Sequence, residues 1–92
     1  MKKALPDFSG KTVSLAIIGA ESARIIVDPH FTSQGGRLFL IGKIPQGASL
    51  DDWMEGLEGA VAWDRVEEYV IFESFEDYIK RLKTWKKGKG RK

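Results

Sequence analysis

The only histidine of the chain, His30, follows Pro29 and stands two residues after Asp28. An imidazole beside a carboxylate can act as a general base, because the carboxylate orients the ring and stabilises its charged form. Such chemistry also needs a nucleophile and a third, orienting group, and no such set follows from the spacing. We therefore predict that the chain is not an enzyme, that Asp28 caps a turn and that His30 is solvated, with catalysis by His30 as the alternative.

The acids in the middle of the chain could hold a hard cation, whose preferred ligands are carboxylates. Asp51 and Glu55 fall on one face if this segment is helical. The run lacks the alternating ligands of a calcium loop, so we interpret it as a solvated acidic surface and predict no bound metal. It consists of Asp51, Asp52, Glu55 and Glu58.

Nucleotide and thiol chemistry are not supported by the residues present. Residues 10–12 read Gly-Lys-Thr, like the end of a phosphate-binding loop, but Leu5 occupies the position of the leading glycine. The chain has no cysteine, which excludes a disulfide framework, a thiolate zinc site and a cysteine nucleophile. We predict no cofactor.

The charge of the chain is divided unevenly along its length. Residues 80–92 carry eight Lys or Arg and no acid, whereas residues 1–79 carry thirteen acids and seven bases. Lysines at this density can neutralise several phosphates, and an indole among them can stack on a nucleobase. Binding of a nucleic acid or another polyanion is therefore the alternative function. Its candidate residues are Lys80, Arg81, Lys83, Trp85, Lys86, Lys87, Lys89, Arg91 and Lys92.

The same C-terminal residues also have structural explanations. Trp85 matches the helical spacing that begins at Phe75, so its indole is expected to cover the mouth of the sheet. The basic segment has an acidic counterpart, because residues 51–77 hold ten acids and one base. The tail is then expected to lie against that stretch, in the same or a neighbouring subunit, through surface ion pairs that weaken with salt.

Five segments before residue 74 have the pattern of strands. Residues 12–18 alternate between apolar and polar or small side chains, which is the period of a half-buried strand. Pro29 removes an amide donor and restricts Asp28, so the second strand is expected to end there and residues 29–36 to form a loop. The expected strands are 12–18, 23–28, 37–44, 60–63 and 66–73.

The third expected strand, residues 37–44, is apolar on both faces. Phe39 and Ile41 lie on the face opposite Leu40, so both sides of the strand need a cover. A second copy of the chain or another protein would supply one of them. The residues predicted for this contact are Phe39, Ile41 and Ile26.

Two helices are expected beside the strands. Ser49 and Asp52 resemble a capping box, which predicts a short inserted helix over residues 49–57. Ser74 as N-cap and the apolar spacing after it predict a C-terminal amphipathic helix over residues 74–87, with a frayed basic tail at 88–92. The apolar stripe of that helix is Phe75, Tyr78, Ile79, Leu82 and Trp85.

These elements predict one α+β domain over residues 1–92. Its mainly antiparallel five-stranded sheet, residues 11–73, is expected to curl or close into a small barrel, with the last helix across an opening or an outer face. The order of elements resembles that of the SH3-like and Sm-like small barrels. This resemblance implies a layout and no function.

The predicted function is that of a small non-enzymatic protein-interaction module that binds a protein partner or a second copy of itself. The longest apolar run, residues 15–18, is far shorter than the roughly 18 residues of a membrane span. Polar residues and a proline follow Lys2 and Lys3 where a signal peptide would be apolar. We therefore expect no membrane association and a cytoplasmic location.

Overall fold

The computed structural model describes the backbone of residues 5–46 and 53–89 and the side chains of residues 5–46 and 53–85. These residues form an α+β arrangement of five antiparallel strands and one C-terminal α-helix, which confirms the predicted class. In chain order the elements are β1 (Thr12–Ile17), β2 (Arg24–Gln34), β3 (Arg37–Lys43), β4 (Glu58–Ala62), a 3₁₀-helix (Trp63–Arg65), β5 (Val66–Phe72) and α1 (Phe75–Lys89). Within this part of the chain no helix has the length and apolar character needed to cross a membrane.

The strands lie in the order β4-β3-β2-β1-β5, so β4 and β5 are the edges of the sheet. Val13 in β1 is paired with Ile26 of β2 on one side and with Ile71 of β5 on the other. Directly opposed residues of antiparallel strands point to the same face, so these three side chains lie together. They belong to the inner, apolar face of the sheet.

The two edge strands are far apart in the sheet but adjacent in the chain, because only Trp63–Arg65 separates β4 from β5. A flat sheet would place its two edges about 19 Å apart, four strand spacings of about 4.8 Å. A 3₁₀-helix advances only about 2 Å per residue and cannot bridge that gap. The sheet must therefore curl, although in the described residues β4 and β5 are not hydrogen-bonded neighbours and the sheet stays open.

An aromatic cluster fills the space inside the curl. Phe8, from the segment before β1, is only 2% exposed and its ring centroid lies 6.0 Å from Phe31, 6.3 Å from Trp63 and 5.3 Å from Tyr69. Phe31 and Trp63 also meet edge to face, with centroids 5.0 Å apart. The aliphatic part of the core lies beside these rings and consists of Val13, Leu15, Ile26, Leu40 and Val61.

The expected end of the second strand at Pro29 is wrong, because β2 continues to Gln34. The pairing of β2 with β3 shifts between Val27 and His30, so β2 holds one extra residue at this point. Such a β-bulge leaves the extra residue outside the ladder, which is where a proline without an N–H is tolerated. The segment predicted as a loop is therefore mostly strand.

Asp28 holds the bulge in place. Its φ of 50° lies in the left-handed region, which is uncommon for a residue with a side chain. Its carboxylate Oδ1 accepts a hydrogen bond from the Gly10 N–H at 2.7 Å, and its own N–H donates to the Lys11 carbonyl at 2.7 Å. Asp28 therefore ties the approach to β1 to the middle of β2.

The inserted helix predicted over residues 49–57 falls partly outside the described residues, since 49–52 are among those not described. The remainder forms a turn, in which the Leu57 N–H donates to the Met54 carbonyl at 3.1 Å and Gly56 has a φ of 82°. Leu57 also accepts a hydrogen bond from the Ile44 N–H at 2.9 Å. The turn is thus fastened to the end of β3, next to the start of β4.

The start of α1 has the predicted cap. The Asp77 N–H donates to Ser74 Oγ at 3.0 Å, and the Glu73 N–H donates to Asp77 Oδ2 at 3.3 Å. Ser74 is thus the N-cap, and the Asp77 carboxylate accepts from the residue before the cap instead of from the cap itself, as it would in a capping box. The helix extends to Lys89, two residues beyond the predicted end and past Gly88.

Candidate interaction surface

The C-terminal helix projects from the sheet. The molecule measures 49 × 29 × 26 Å, and a 15-residue helix is about 22 Å long, close to the excess of the long dimension over the other two. Its first turn packs on β5, where the rings of Tyr78 and Phe72 meet edge to face with centroids 5.2 Å apart. Burial at this contact raises the pKa of the Tyr78 hydroxyl. Beyond the first turn α1 extends away from the strands.

The apolar stripe of α1 continues past its contact with the sheet. Ile79 and Leu82 are half-buried, and Trp85 is 57% exposed. The prediction that Trp85 covers the mouth of the sheet is wrong, because the space inside the curl is filled by the cluster around Phe8 instead. The stripe of Ile79, Leu82 and Trp85 is therefore presented on a projecting helix.

A shallow groove runs along one flank of this stripe. It is lined by Phe75, Glu76, Ile79, Lys80 and Lys83. Phe75 and Ile79 form its apolar floor. Glu76 lies at one end of the groove, and Lys80 and Lys83 lie towards the other end. A groove of this kind accepts an apolar side chain from a partner whose charges run in the opposite direction.

The other flank of α1 is mostly basic and polar and borders the stripe at Trp85. A second shallow groove there is lined by Asp77, Lys80, Arg81, Thr84 and Trp85. Arg81 is already paired with Asp77, with Nε 3.2 Å from Oδ1. The helix thus brings part of the predicted polyanion site together and places one acid within it.

The other predicted polyanion residues are described only in part. Lys83 is exposed and lies towards the apolar flank. The backbone of Lys86, Lys87 and Lys89 belongs to the last turns of α1, and their side chains lie outside the described residues. Arg91 and Lys92 also lie outside them.

On the outer face of the sheet, Phe39 and Ile41 are half-buried. Phe39 is paired with Ala62 and Ile41 with Ala60 across the β3–β4 ladder, so only small side chains adjoin them on that side. The guanidinium carbon of Arg37 lies 5.8 Å from the centroid of the Phe39 ring. As predicted, Phe39 and Ile41 lie on the face opposite the buried Leu40; whether they contact a partner stays a prediction.

Ile26 does not belong to this outer face, which corrects the sequence-based assignment. It is 2% exposed and lies on the inner face, opposite Val13. The extra residue at the β2 bulge reverses the alternation, so Ile26 and His30 point to opposite sides although they are four residues apart. Ile26 stabilises the core and is not available to a partner.

The edge strand β5 adds further exposed apolar surface. Val70 on its outer face is 50% exposed, and Tyr69 and Ile71 on its inner face are still 40% and 46% exposed. An edge strand with apolar side chains is a surface on which another strand or chain can pair. The sequence analysis did not identify this surface, because alternation in β5 predicts which residues share a face and does not predict how much of either face is covered.

The residues considered for chemistry are not assembled into a site in the described part of the chain. His30 is exposed on the outer face opposite Ile41, and the Asp28 carboxylate is hydrogen-bonded to Gly10. No group of three or more His, Asp or Glu side chains is placed to hold a metal ion among the described residues. Asp51 and Asp52 of the acidic run lie outside these residues.

Two ion pairs fasten the ends of the sheet. Arg37 donates to Asp64 through Nη2 at 2.9 Å and Nε at 3.3 Å, joining β3 to the 3₁₀-helix. The hydrogen bonds from Arg37 lower the pKa of the Asp64 carboxyl. Lys11 Nζ lies 2.7 Å from Glu73 Oε1, which joins the start of β1 to the segment that leads into α1. Both pairs are at the surface and position elements more than they add stability.

No protein-family model matches this chain, and comparisons with curated proteins and with solved structures also give no match. The geometry of α1 and the sheet is therefore the only support for the candidate interaction surface.

Proposed function

We propose that the chain is a non-enzymatic protein-interaction module that associates with a second copy of itself. The observation that supports this is the apolar stripe of α1, which continues beyond the contact between Tyr78 and Phe72. An isolated helix of about 12–15 residues is marginal in water, and most helices are stabilised by packing of their apolar face. Ile79 and Leu82 are only half-buried and Trp85 is 57% exposed, so the stripe keeps apolar surface that a second copy would cover.

The sheet offers further surface of the same character. Phe39 and Ile41 on its outer face and Val70 at its edge would enlarge an interface or serve a different protein partner. We also propose that the curled sheet has the layout of SH3-like or Sm-like small barrels. The strand order and the three-residue connection between the two edge strands support this layout, which carries no function by itself.

Sedimentation equilibrium of the full chain tests the proposed self-association. The expected result is an average mass that rises from that of a monomer towards that of a dimer between micromolar and near-millimolar concentration. Because the apolar stripe is covered by association, the rise should persist at high salt, where surface ion pairs are screened. A single monomeric species over the whole range would overturn the proposal.

Polyanion binding is the second candidate, favoured by the groove in which Lys80, Arg81 and Trp85 stand together. Against it, Asp77 occupies the same groove and residues 1–79 carry an excess of acids. Binding of a single-stranded oligonucleotide to the full chain, measured by fluorescence anisotropy, should fall steeply as salt rises.

A matched pair of variants decides whether α1 is responsible for that binding. The double variant Lys80→Gln and Arg81→Gln should weaken it, and Arg24→Gln with Lys43→Gln removes the same charge from exposed positions on the sheet. Equal weakening by the two double variants would show a nonspecific charge effect and remove the second candidate.

A further inference from the structure

We propose that α1 docks on α1 of a second copy in antiparallel orientation, crossing near Ile79 about a twofold axis. The proposal rests on the proposed self-association and names its surface and its geometry. A twofold dimer uses the same patch on both subunits, so the patch must complement itself. The stripe of α1 and its charged flank meet that requirement.

Charge changes sign along α1. Glu76 and Asp77 stand in the first turn, and every charged residue from Lys80 onward is basic. Parallel helices would place acid beside acid and base beside base. Antiparallel helices place the acidic turn of each copy beside the basic half of the other and also oppose the two helix dipoles.

The register follows from Glu76 and Lys83, which lie on the same flank of the stripe and line the groove with Ile79. They are seven residues apart, about 10 Å along the helix, so they are too distant to pair within one chain. A twofold axis perpendicular to both helices brings the same flank of each copy together in reversed order. Glu76 of each copy then lies beside Lys83 of the other.

This register also covers the apolar stripe. With the crossing midway between Glu76 and Lys83, Ile79 of each copy meets Ile79 of the other. Leu82 then lies beside the first turn of the second copy, next to its Phe75 and Tyr78. Burial of these side chains supplies the affinity, whereas the exposed charges select the orientation, because exposed ion pairs add little binding energy.

The acidic charge of the rest of the chain also favours the antiparallel arrangement. In the antiparallel arrangement the basic last turns of one helix lie beside the start of the other helix, close to Glu73 and the edge strand of that copy. Residues 1–79 have an excess of six acids, thirteen against seven bases, and residues 80–92 have eight bases. In the dimer the basic end of each α1 therefore lies beside acids of the other copy. The acidic first turn of each α1 likewise lies beside bases of the other copy.

Disulfide trapping tests the orientation directly, because the chain has no cysteine of its own. Equal amounts of Glu76→Cys and Lys83→Cys full-length chains are mixed and oxidised, and each variant is oxidised alone. Antiparallel pairing brings the two different positions within disulfide reach, whereas identical positions stay about 10 Å apart along the helices. We expect several-fold more cross-linked dimer in the mixture than in either single variant.

A charge exchange and a stripe variant give independent readouts by sedimentation. Glu76→Lys and Lys83→Glu should each weaken the dimer, and the double variant should restore it. Ile79→Asp should weaken it by at least about tenfold, as expected for a residue at the centre of an interface. Thr84→Asp, on the polar face of α1, introduces the same charge as a control for folding and net charge and should have little effect.

The outcomes separate this pairing from the proposed function. A wild-type chain that stays monomeric overturns both. A dimer that resists Ile79→Asp but is lost in Ile41→Asp keeps the proposed self-association and overturns the pairing of α1. Preferential cross-linking of Glu76→Cys with itself, and of Lys83→Cys with itself, overturns the antiparallel orientation.

Discussion

Arg37 at the start of β3 holds Asp64 of the 3₁₀-helix through two hydrogen bonds, at 2.9 and 3.3 Å. Asp64 lies in the short connection between the two edge strands, which is the segment that forces the sheet to curl. The pair therefore fixes that connection against β3, and it makes part of the curl sensitive to the ionisation of one carboxylate.

Stability should depend on pH through this pair. Because the pKa of Asp64 is lowered in the folded chain, its stabilising effect is present above the unfolded pKa and is lost as pH falls below about 4. Urea unfolding of the wild type, Asp64→Asn and Arg37→Gln from pH 7 to pH 2 measures it. The free energy of unfolding of each variant should be lower than that of the wild type at neutral pH, and the difference should vanish in acid. A constant difference from pH 7 to pH 2 would contradict the prediction.

Phe8→Ala should be among the most destabilising substitutions in the chain. The ring is 2% exposed and contacts Phe31, Trp63 and Tyr69, so its removal leaves a cavity where β5 and the 3₁₀-helix meet. The expected loss is about 3–5 kcal/mol in the free energy of unfolding. Leu5→Ala, at a position that is 45% exposed, is the control and should cost less than about 0.5 kcal/mol. A similar small loss for both would show that Phe8 is not part of the core.

Substitutions of Asp28 should separate its backbone conformation from its hydrogen bond. Asn keeps an acceptor for the Gly10 N–H and tolerates positive φ, so Asp28→Asn should stay close to the wild type. Asp28→Gly loses the hydrogen bond and relieves the strain of positive φ, at the cost of a more flexible unfolded chain. Asp28→Ala loses the bond and keeps the strain, so it should be the least stable, by about 1–2 kcal/mol relative to Gly. Thermal unfolding of the three variants checks this order, and an alanine variant as stable as the glycine variant would refute it.

The cap of α1 should contribute to the stability of the helix. Ser74→Ala removes the acceptor for the Asp77 N–H and should cost about 1 kcal/mol. Ser33→Ala, at an exposed position of β2, is the control. Amide hydrogen exchange in the first turn of α1 should accelerate in Ser74→Ala and stay unchanged in Ser33→Ala. Unchanged exchange in both would show that the helix start is held by its contact with β5 instead.

The elements predicted from the sequence are those whose signals are local. Alternation in β1 and β5 and the cap and apolar spacing of α1 each involve neighbouring residues, and the structure contains all three. Phe8 was missed because a single apolar residue between a proline and a glycine turn has no period. Its burial depends on Trp63 and Tyr69, which arrive from distant positions in the chain.

The same limit applies to the candidate surface. The apolar stripe and the bases of α1 could be identified from spacing and charge, but the direction in which the helix leaves the sheet could not. Trp85 was therefore placed over the mouth of the sheet, which Phe8 fills. Ile26 was predicted for a partner contact because its spacing marks it as apolar but does not tell which face of the sheet is covered; its burial follows from its place opposite Val13.

The pairing of β5 with β1 joins residues from opposite ends of the described chain, such as Thr12 and Phe72. The hairpins β1–β2 and β2–β3 close over short distances and can form early, whereas the last strand must wait for long-range loop closure. During synthesis on the ribosome the sheet therefore stays incomplete until β5 has emerged. Because α1 directly follows β5 in the chain, the helix becomes available for pairing only after the strand on which its first turn packs.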